Sequence, residues 1–238
     1  VTVHGEILHN DVYHHTLADG DLLLADVGAE SSGGWAGDVT RTWPVNGTFS
    51  DTQRVMYEIV LAAQEAAIAK VAPGVRYRDV HLAAARALAS GLVELGVLRG
   101  DPDELVADGV HALFFPHGVG HLIGLDVHDM EDLGDRAGYA PGRSRSEQFG
   151  IAYLRLDRDL EAGMAVTIEP GFYQVPAILE DEARVSVAGD RLNRDALARF
   201  SDVRGIRIED DVLVTETGAE VLTRDIPKRA ADVEAAVG

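Results

Sequence analysis

The chain has 238 residues, 46% of them hydrophobic, 26% charged and 6% aromatic, and its 40 acidic against 21 basic side chains leave a formal net charge of −19. That length predicts one large domain or two small ones, and the apolar share is too high for a disordered chain. The absence of cysteine excludes disulfides, a thiol nucleophile and thiolate metal sites; the charge argues against nucleic-acid partners; and no apolar run reaches the ~20 residues of a membrane span, so the sequence reads as soluble and cytoplasmic, with no membrane partner.

Val3–His9 predicts a short strand. Leu22–Val27 and Val39–Val45 predict two more, joined into a hairpin by the glycine-rich stretch Gly28–Gly37. Ser50-Asp51-Thr52-Gln53 reads as a capping box, opening a helix with Val55, Ile59, Ala62, Ala63 and Ala66 near helical spacing, which stops at Pro73-Gly74. A second helix is expected from Asp79 to Leu95, and Asp101-Pro102 opens a short third. His111–Val127 reads as strands around a glycine-rich turn, and Asp132–Phe149 as a loop. Met164–Gln174 and Ile206–Thr215 read as strands flanking the polar stretch Ile178–Val203. No low-complexity linker divides the chain, so a single α+β domain over residues 1–238, built of two hairpin-containing halves, is expected. The chain opens in strand-like sequence at Val1, not Met, and reads as N-terminally incomplete. Among its basic residues only Lys70 and Lys228 are lysines.

Four carboxylates stand in strand-like sequence. Asp26 ends the apolar run LLLADVG, Asp38 opens GDVTRT, Glu169 interrupts AVTIEPG, and Glu209 sits in GIRIEDD. Unpaired, a buried carboxylate costs several kcal/mol. His117 and His121 flank Gly-Val-Gly, and His128 lies close behind. Hard divalent cations held by oxygen ligands and an imidazole account for the whole set, and two of them neutralise four carboxylates. His4, His14, His15, His81 and His111 fit no such pattern and read as surface or capping residues. Glu6 and His9 form an ExxH in strand-like sequence, not on the paired helices of a di-iron bundle. Gly118-Val-Gly120 is no nucleotide fingerprint, because Gly124 is misplaced for it. Asp210 and Asp211 read as residues that orient Arg207 or cap the strand.

The strings ILHN (Ile7–Asn10), DVGAE (Asp26–Glu30), GDVTRTWPV (Gly37–Val45), HGVGHLIGLDVHD (His117–Asp129), TIEPGFY (Thr167–Tyr173) and GIRIEDDVLVT (Gly205–Thr215) occur in that order. Together they resemble the pita-bread metallopeptidases, in the aminopeptidase P and prolidase branch that cleaves Xaa-Pro bonds. The resemblance implies an α+β pita-bread fold: two pseudo-symmetric halves, a curved and mainly antiparallel sheet, and helices outside. It also implies preceding helices and an N-terminal domain that this sequence lacks. By the same resemblance Asp38 and Glu209 bridge two divalent metal ions, Asp26 binds one, and His121 with Glu169 binds the other. Oxygen-rich ligation favours manganese, with cobalt or zinc as substitutes. A hydroxide between the ions attacks the carbonyl before proline, and Glu169 carries the proton to the leaving nitrogen. His9 and His128 match catalytic histidines that hold the peptide and its oxyanion. His117 and Tyr173 match substrate-side residues, Arg207 a ligand-supporting or substrate-carboxylate contact, and Thr40 a supporting hydroxyl. The implied activity is an Xaa-Pro aminopeptidase on small peptides with proline in second position, the enzyme forming a homodimer when full length. A dipeptidase (prolidase) is the alternative, and a catalytically inactive peptide- or protein-binding module a distant one. Asp26 and Asp38 are 12 apart, one more than the family spacing, a difference that the Ser31–Gly34 tip absorbs.

Overall fold

The computed structural model describes residues 1–7 and 14–238. The predicted hairpin forms, with strands longer than expected: β1 (Leu22–Glu30) pairs antiparallel with β2 (Ala36–Pro44), Leu22 opposite Pro44 and Glu30 opposite Ala36. Two of its glycines, Gly28 and Gly37, sit within the ladder, and Gly33 and Gly34 form the turn, Gly34 with φ +81°. A Cβ on Gly28 would lie 2.7 Å from the Gly37 carbonyl oxygen, so this position needs glycine for close approach, and the tip is the shorter segment 31–35. The expected strand at Val3–His9 does not form in its described part. Thr2 makes an isolated bridge to Leu24, and the backbone then turns, Ile7 N–H donating to the His4 carbonyl at 2.8 Å.

Ser50 caps α1 (Asp51–Lys70) with both halves of the capping box present. α1 buries Met56, Tyr57, Val60, Ala63 and Ala67 against α2 (Tyr77–Glu94), whose Val80, Ala84, Leu88 and Leu92 recur at helical spacing. Asp101 caps the short α3 (Pro102–Ala107), which carries proline in its first turn. These helices share one hydrophobic cluster with the inner faces of the strands, from Leu22 to Val233. Among the described residues no helix is long and apolar enough to cross a membrane.

His111–Val127 departs from expectation. It forms a 3-10 turn at Val110–Leu113 and then an irregular segment with one isolated bridge, Leu122 to Val166. That segment packs against β3 (Ala165–Ile168) too tightly for a regular ladder. A Cβ on Gly120, whose φ is +154°, would lie 2.1 Å from the Thr167 carbonyl oxygen. Thr167 N–H donates to the His121 carbonyl at 2.9 Å and Glu169 N–H to that of Val119 at 2.8 Å.

The second antiparallel ribbon joins β3 and β4 (Gly171–Tyr173) to β5 (Gly205–Arg207) and β6 (Asp210–Val214), with β7 (Ala219–Val221) beyond β6. Ile168 pairs with Asp210 and Gly171 with Arg207, so one register runs through both pieces. The break between them falls at Glu169-Pro170 facing Ile208-Glu209, where proline has no N–H to give. The register therefore sets Glu169 opposite Glu209. The stretch Ile178–Val203, with the two residues before it, forms short helical turns at Pro176–Leu179, Glu182–Val185 and Arg194–Ala198.

Two further sequence expectations are corrected. His81 and His111 are wholly buried, because helical packing turns them inward onto each other, with ring centroids 6.0 Å apart, and sets His81 against Phe115. Asp210 and Asp211 do not touch Arg207: Asp210 pairs with Arg41 and Lys228, and Asp211 accepts from the Asp38 N–H at 3.1 Å. They alternate with Glu209 along the chain, and Asp210 points to the opposite side.

Candidate metal centre

Side chains alternate across a strand, so residues two apart share a face. On the hairpin this places Asp26, Asp38 and Thr40 together, Asp26 pairing with Thr40 in the ladder. On the second ribbon it places Thr167, Glu169, Tyr173, Arg207, Glu209 and Asp211 together. The two faces meet through hydrogen bonds. Thr40 Oγ1 donates to Glu209 Oε2 at 2.6 Å, Glu209 N–H donates to the Thr40 carbonyl at 3.1 Å, and Arg207 Nε donates to Thr40 Oγ1 at 3.1 Å.

Asp38, His121 and Glu209 each offer one ligand atom within 4.8 Å of the others, and all three residues are buried. His121 Nδ1 lies 2.9 Å from the Leu122 carbonyl, which can only accept, so Nδ1 carries the hydrogen. Its Nε2 then faces Asp38 Oδ2 at 3.6 Å and Glu169 Oε1 at 3.7 Å, the orientation of a metal-ligating imidazole. Glu169 is partly buried beside the same cluster. Asp26, with its side chain 46% exposed, lines the same cleft and accepts from Arg207 Nη2 at 2.6 Å.

The electrostatics show an unmet need for positive charge. Burial and the neighbouring Glu169 and Asp38 carboxylates push the Glu209 pKa well above the carboxylate range, and burial likewise raises that of Glu169. Burial opposes ionisation of Asp38, but contact with His121 prevails and holds its pKa below the ordinary value. His121 answers in kind: burial works against its charge, yet Asp38 and Glu169 raise its pKa. Buried carboxylates around one imidazole, with too little positive charge among them, are a donor set that fits hard divalent cations.

The cleft above this cluster measures about 690 Å³. His117 and Tyr173 form one wall, the tyrosine hydroxyl 2.9 Å from His117 Nε2 and 3.1 Å from Arg207 Nη1. Burial pushes the Tyr173 pKa up to about 12, so the hydroxyl stays protonated. Opposite, the His128 ring stands edge-on to that of His121 with centroids 4.5 Å apart, its Nδ1 3.0 Å from Glu131 and 3.1 Å from Arg155. Burial, then the charges of His121 and Arg155, lower the His128 pKa. His9 lies outside the described residues. Sequence reasoning missed Arg145, Arg155 and Arg184, which line the cleft. Arg155 had a signal of its own: it stands between Leu154 and Leu156, both buried.

Residues 1–216 match the description Metallopeptidase family M24. The chain is 38% identical over 220 residues to the Xaa-Pro dipeptidase of Homo sapiens, covering 92% of this chain and 43% of that protein. It is 40% identical over 231 residues to the Xaa-Pro aminopeptidase of Escherichia coli strain K12, covering 97% and 44%. Among solved structures, an aminopeptidase of Pseudomonas aeruginosa superposes with a TM-score of 0.75 at 39% identity, over 99% of this chain and 45% of that one. A zinc-substituted Escherichia coli aminopeptidase P in complex with product gives 0.75 at 39% identity over the same shares. The chain thus spans under half the length of the relatives it matches.

Proposed function

The chain belongs to metallopeptidase family M24 and has its pita-bread fold, and from that premise we propose that its cleft hydrolyses the peptide bond preceding proline in small peptides. The observation that carries the reading is the convergence of Asp38, His121 and Glu209 at one point, with Glu169 set opposite Glu209 across a broken ladder. In this reading Asp38 and Glu209 hold both of two divalent cations, Asp26 one, and His121 with Glu169 the other, manganese being the metal best suited to so many oxygens. When bound, such ions neutralise the buried carboxylates and supply a water that is nucleophilic near neutral pH.

The remaining steps belong to the protein. Glu169 is the proton carrier: partly buried beside the cluster, its carboxylate is placed to accept a proton from water and give it to the proline nitrogen, which cannot leave as an anion. His117, held by the Gly118 carbonyl at 2.7 Å and the Tyr173 hydroxyl, orients the proline side of the peptide. His128 stands where it can donate to the carbonyl oxygen as charge develops there. Arg207, almost wholly buried, grips Asp26, Thr40 and Tyr173 at once and so fixes the hairpin against the second ribbon.

An Xaa-Pro aminopeptidase is the first reading. The arginines Arg145, Arg155 and Arg184 in the same cleft favour a second, a dipeptidase, since guanidinium groups suit the carboxylate of a two-residue substrate. Manganese-dependent release of alanine from Ala-Pro and Ala-Pro-Ala tests both. Cleavage of both peptides supports the aminopeptidase, cleavage of Ala-Pro alone the dipeptidase, and cleavage of neither by a manganese-loaded protein refutes the proposal.

A further inference from the structure

Behind the ligands lies a second polar cluster that faces away from the cleft. Asp210, wholly buried, accepts four hydrogen bonds: Oδ1 from Arg41 Nη2 and Thr223 Oγ1, both at 2.8 Å, and Oδ2 from Gln64 Nε2 and Lys228 Nζ, both at 2.7 Å. Lys228 Nζ also donates to Gln64 Oε1 at 2.8 Å, which closes the ring of contacts. Arg41 uses all five of its N–H donors. Nη1 reaches the carbonyls of Glu209 at 2.5 Å and Thr40 at 3.0 Å, Nη2 reaches Asp210 and the Ile226 carbonyl at 3.1 Å, and Nε reaches the Pro227 carbonyl at 2.9 Å. Tyr57 donates to the Lys228 carbonyl at 2.8 Å.

Residues 226–228 are thereby strapped to the back of the strands that present Asp38, Thr40 and Glu209. The strap lies beyond residue 216, where the match to the family model ends, and within the 231 residues aligned to the Escherichia coli Xaa-Pro aminopeptidase. Exposed ion pairs contribute little, but Asp210 and Arg41 are buried, and removing one cation from such a network leaves a charge uncompensated. The residue adjacent to Asp210 is Glu209, whose carbonyl Arg41 holds directly.

We propose that Lys228 and Arg41 are positioning residues for the metal centre, setting the separation of the Asp38 and Glu209 carboxylates through Asp210 and the carbonyls of Thr40 and Glu209. The inference rests on the reading of this cluster as a metal site and adds the segment 226–228 to its working parts.

The test is calorimetric titration of the chain with manganese, paired with thermal unfolding of the metal-free protein. Lys228→Met is expected to raise the manganese Kd roughly 10- to 100-fold, the range seen when groups that orient metal ligands are removed. The other lysine, Lys70, is exposed in the last turn of α1, and Lys70→Met leaves the Kd at the wild-type value. A lower unfolding temperature for Lys228→Met with a wild-type Kd means that the cluster only stabilises the fold, and overturns the proposal. Should Lys228→Met fail to fold, Thr223→Val removes one donor to Asp210 without stranding a cation: a raised Kd supports the proposal and an unchanged one overturns it. A wild-type chain that binds no manganese refutes the metal-site reading itself, and this inference with it.

Discussion

Glu209 is held from three directions: its N–H by the Thr40 carbonyl, its own carbonyl by Arg41, and its carboxylate by the Thr40 hydroxyl at 2.6 Å. Thr40→Val removes the last of these without changing the shape of the side chain and is expected to weaken metal binding about 10- to 100-fold, measured as the manganese Kd. Glu169→Gln should lower turnover on Ala-Pro by about 10²–10⁴, the usual contribution of a general acid or base, and turnover near wild type would show that Glu169 carries no proton. The carboxylates are legible in the sequence because an acid inside an apolar strand demands an explanation, whereas His121 is singled out from its neighbours only by the family resemblance of HGVGHLIGLDVHD. The partners of Asp210 are not legible there. Arg41 and Lys228 lie far from it in the chain, and nothing in GIRIEDD says that alternate acids face opposite sides of a broken ladder.

At the scale of elements, the hairpin and the Ser50 cap follow from local rules, since turn glycines and a capping box act within a few residues. Ser50→Ala should cost about 1 kcal/mol in denaturant unfolding. The segment 111–127 defeats the same rules. Its apolar residues look like strand, but Gly118 and Gly120 let the backbone press onto Leu154 and Thr167, and that tertiary contact replaces the ladder. Gly120→Ala sets a methyl group against the Thr167 carbonyl at a φ that favours glycine, and is expected to cost more than about 2 kcal/mol while displacing His121. Loss of stability and of metal affinity together would bear out the coupling; loss of neither would contradict it.

At the scale of the whole molecule, two histidines packed inward make the fold sensitive to acid. Burial pushes the His111 pKa down from 6.5 to about 4, and burial with the charges of His111, His117 and Arg78 pushes that of His81 well below the imidazole range. Between those pH values the unfolded chain binds a proton at His111 that the folded chain refuses. Stability therefore falls as pH drops through the window, by roughly 3 kcal/mol from His111, with no further loss from it below. Thermal midpoints between pH 7 and 4 should show a shallower decline in His111→Leu than in wild type. The central claim concerns the carboxylates gathered from both ribbons, and manganese stoichiometry of the wild-type chain and of Asp38→Asn tests it most directly. The account predicts about two ions per chain in the wild type, as a two-metal hydrolytic site requires, and loss of metal in the variant. A variant that keeps the full wild-type complement would contradict it.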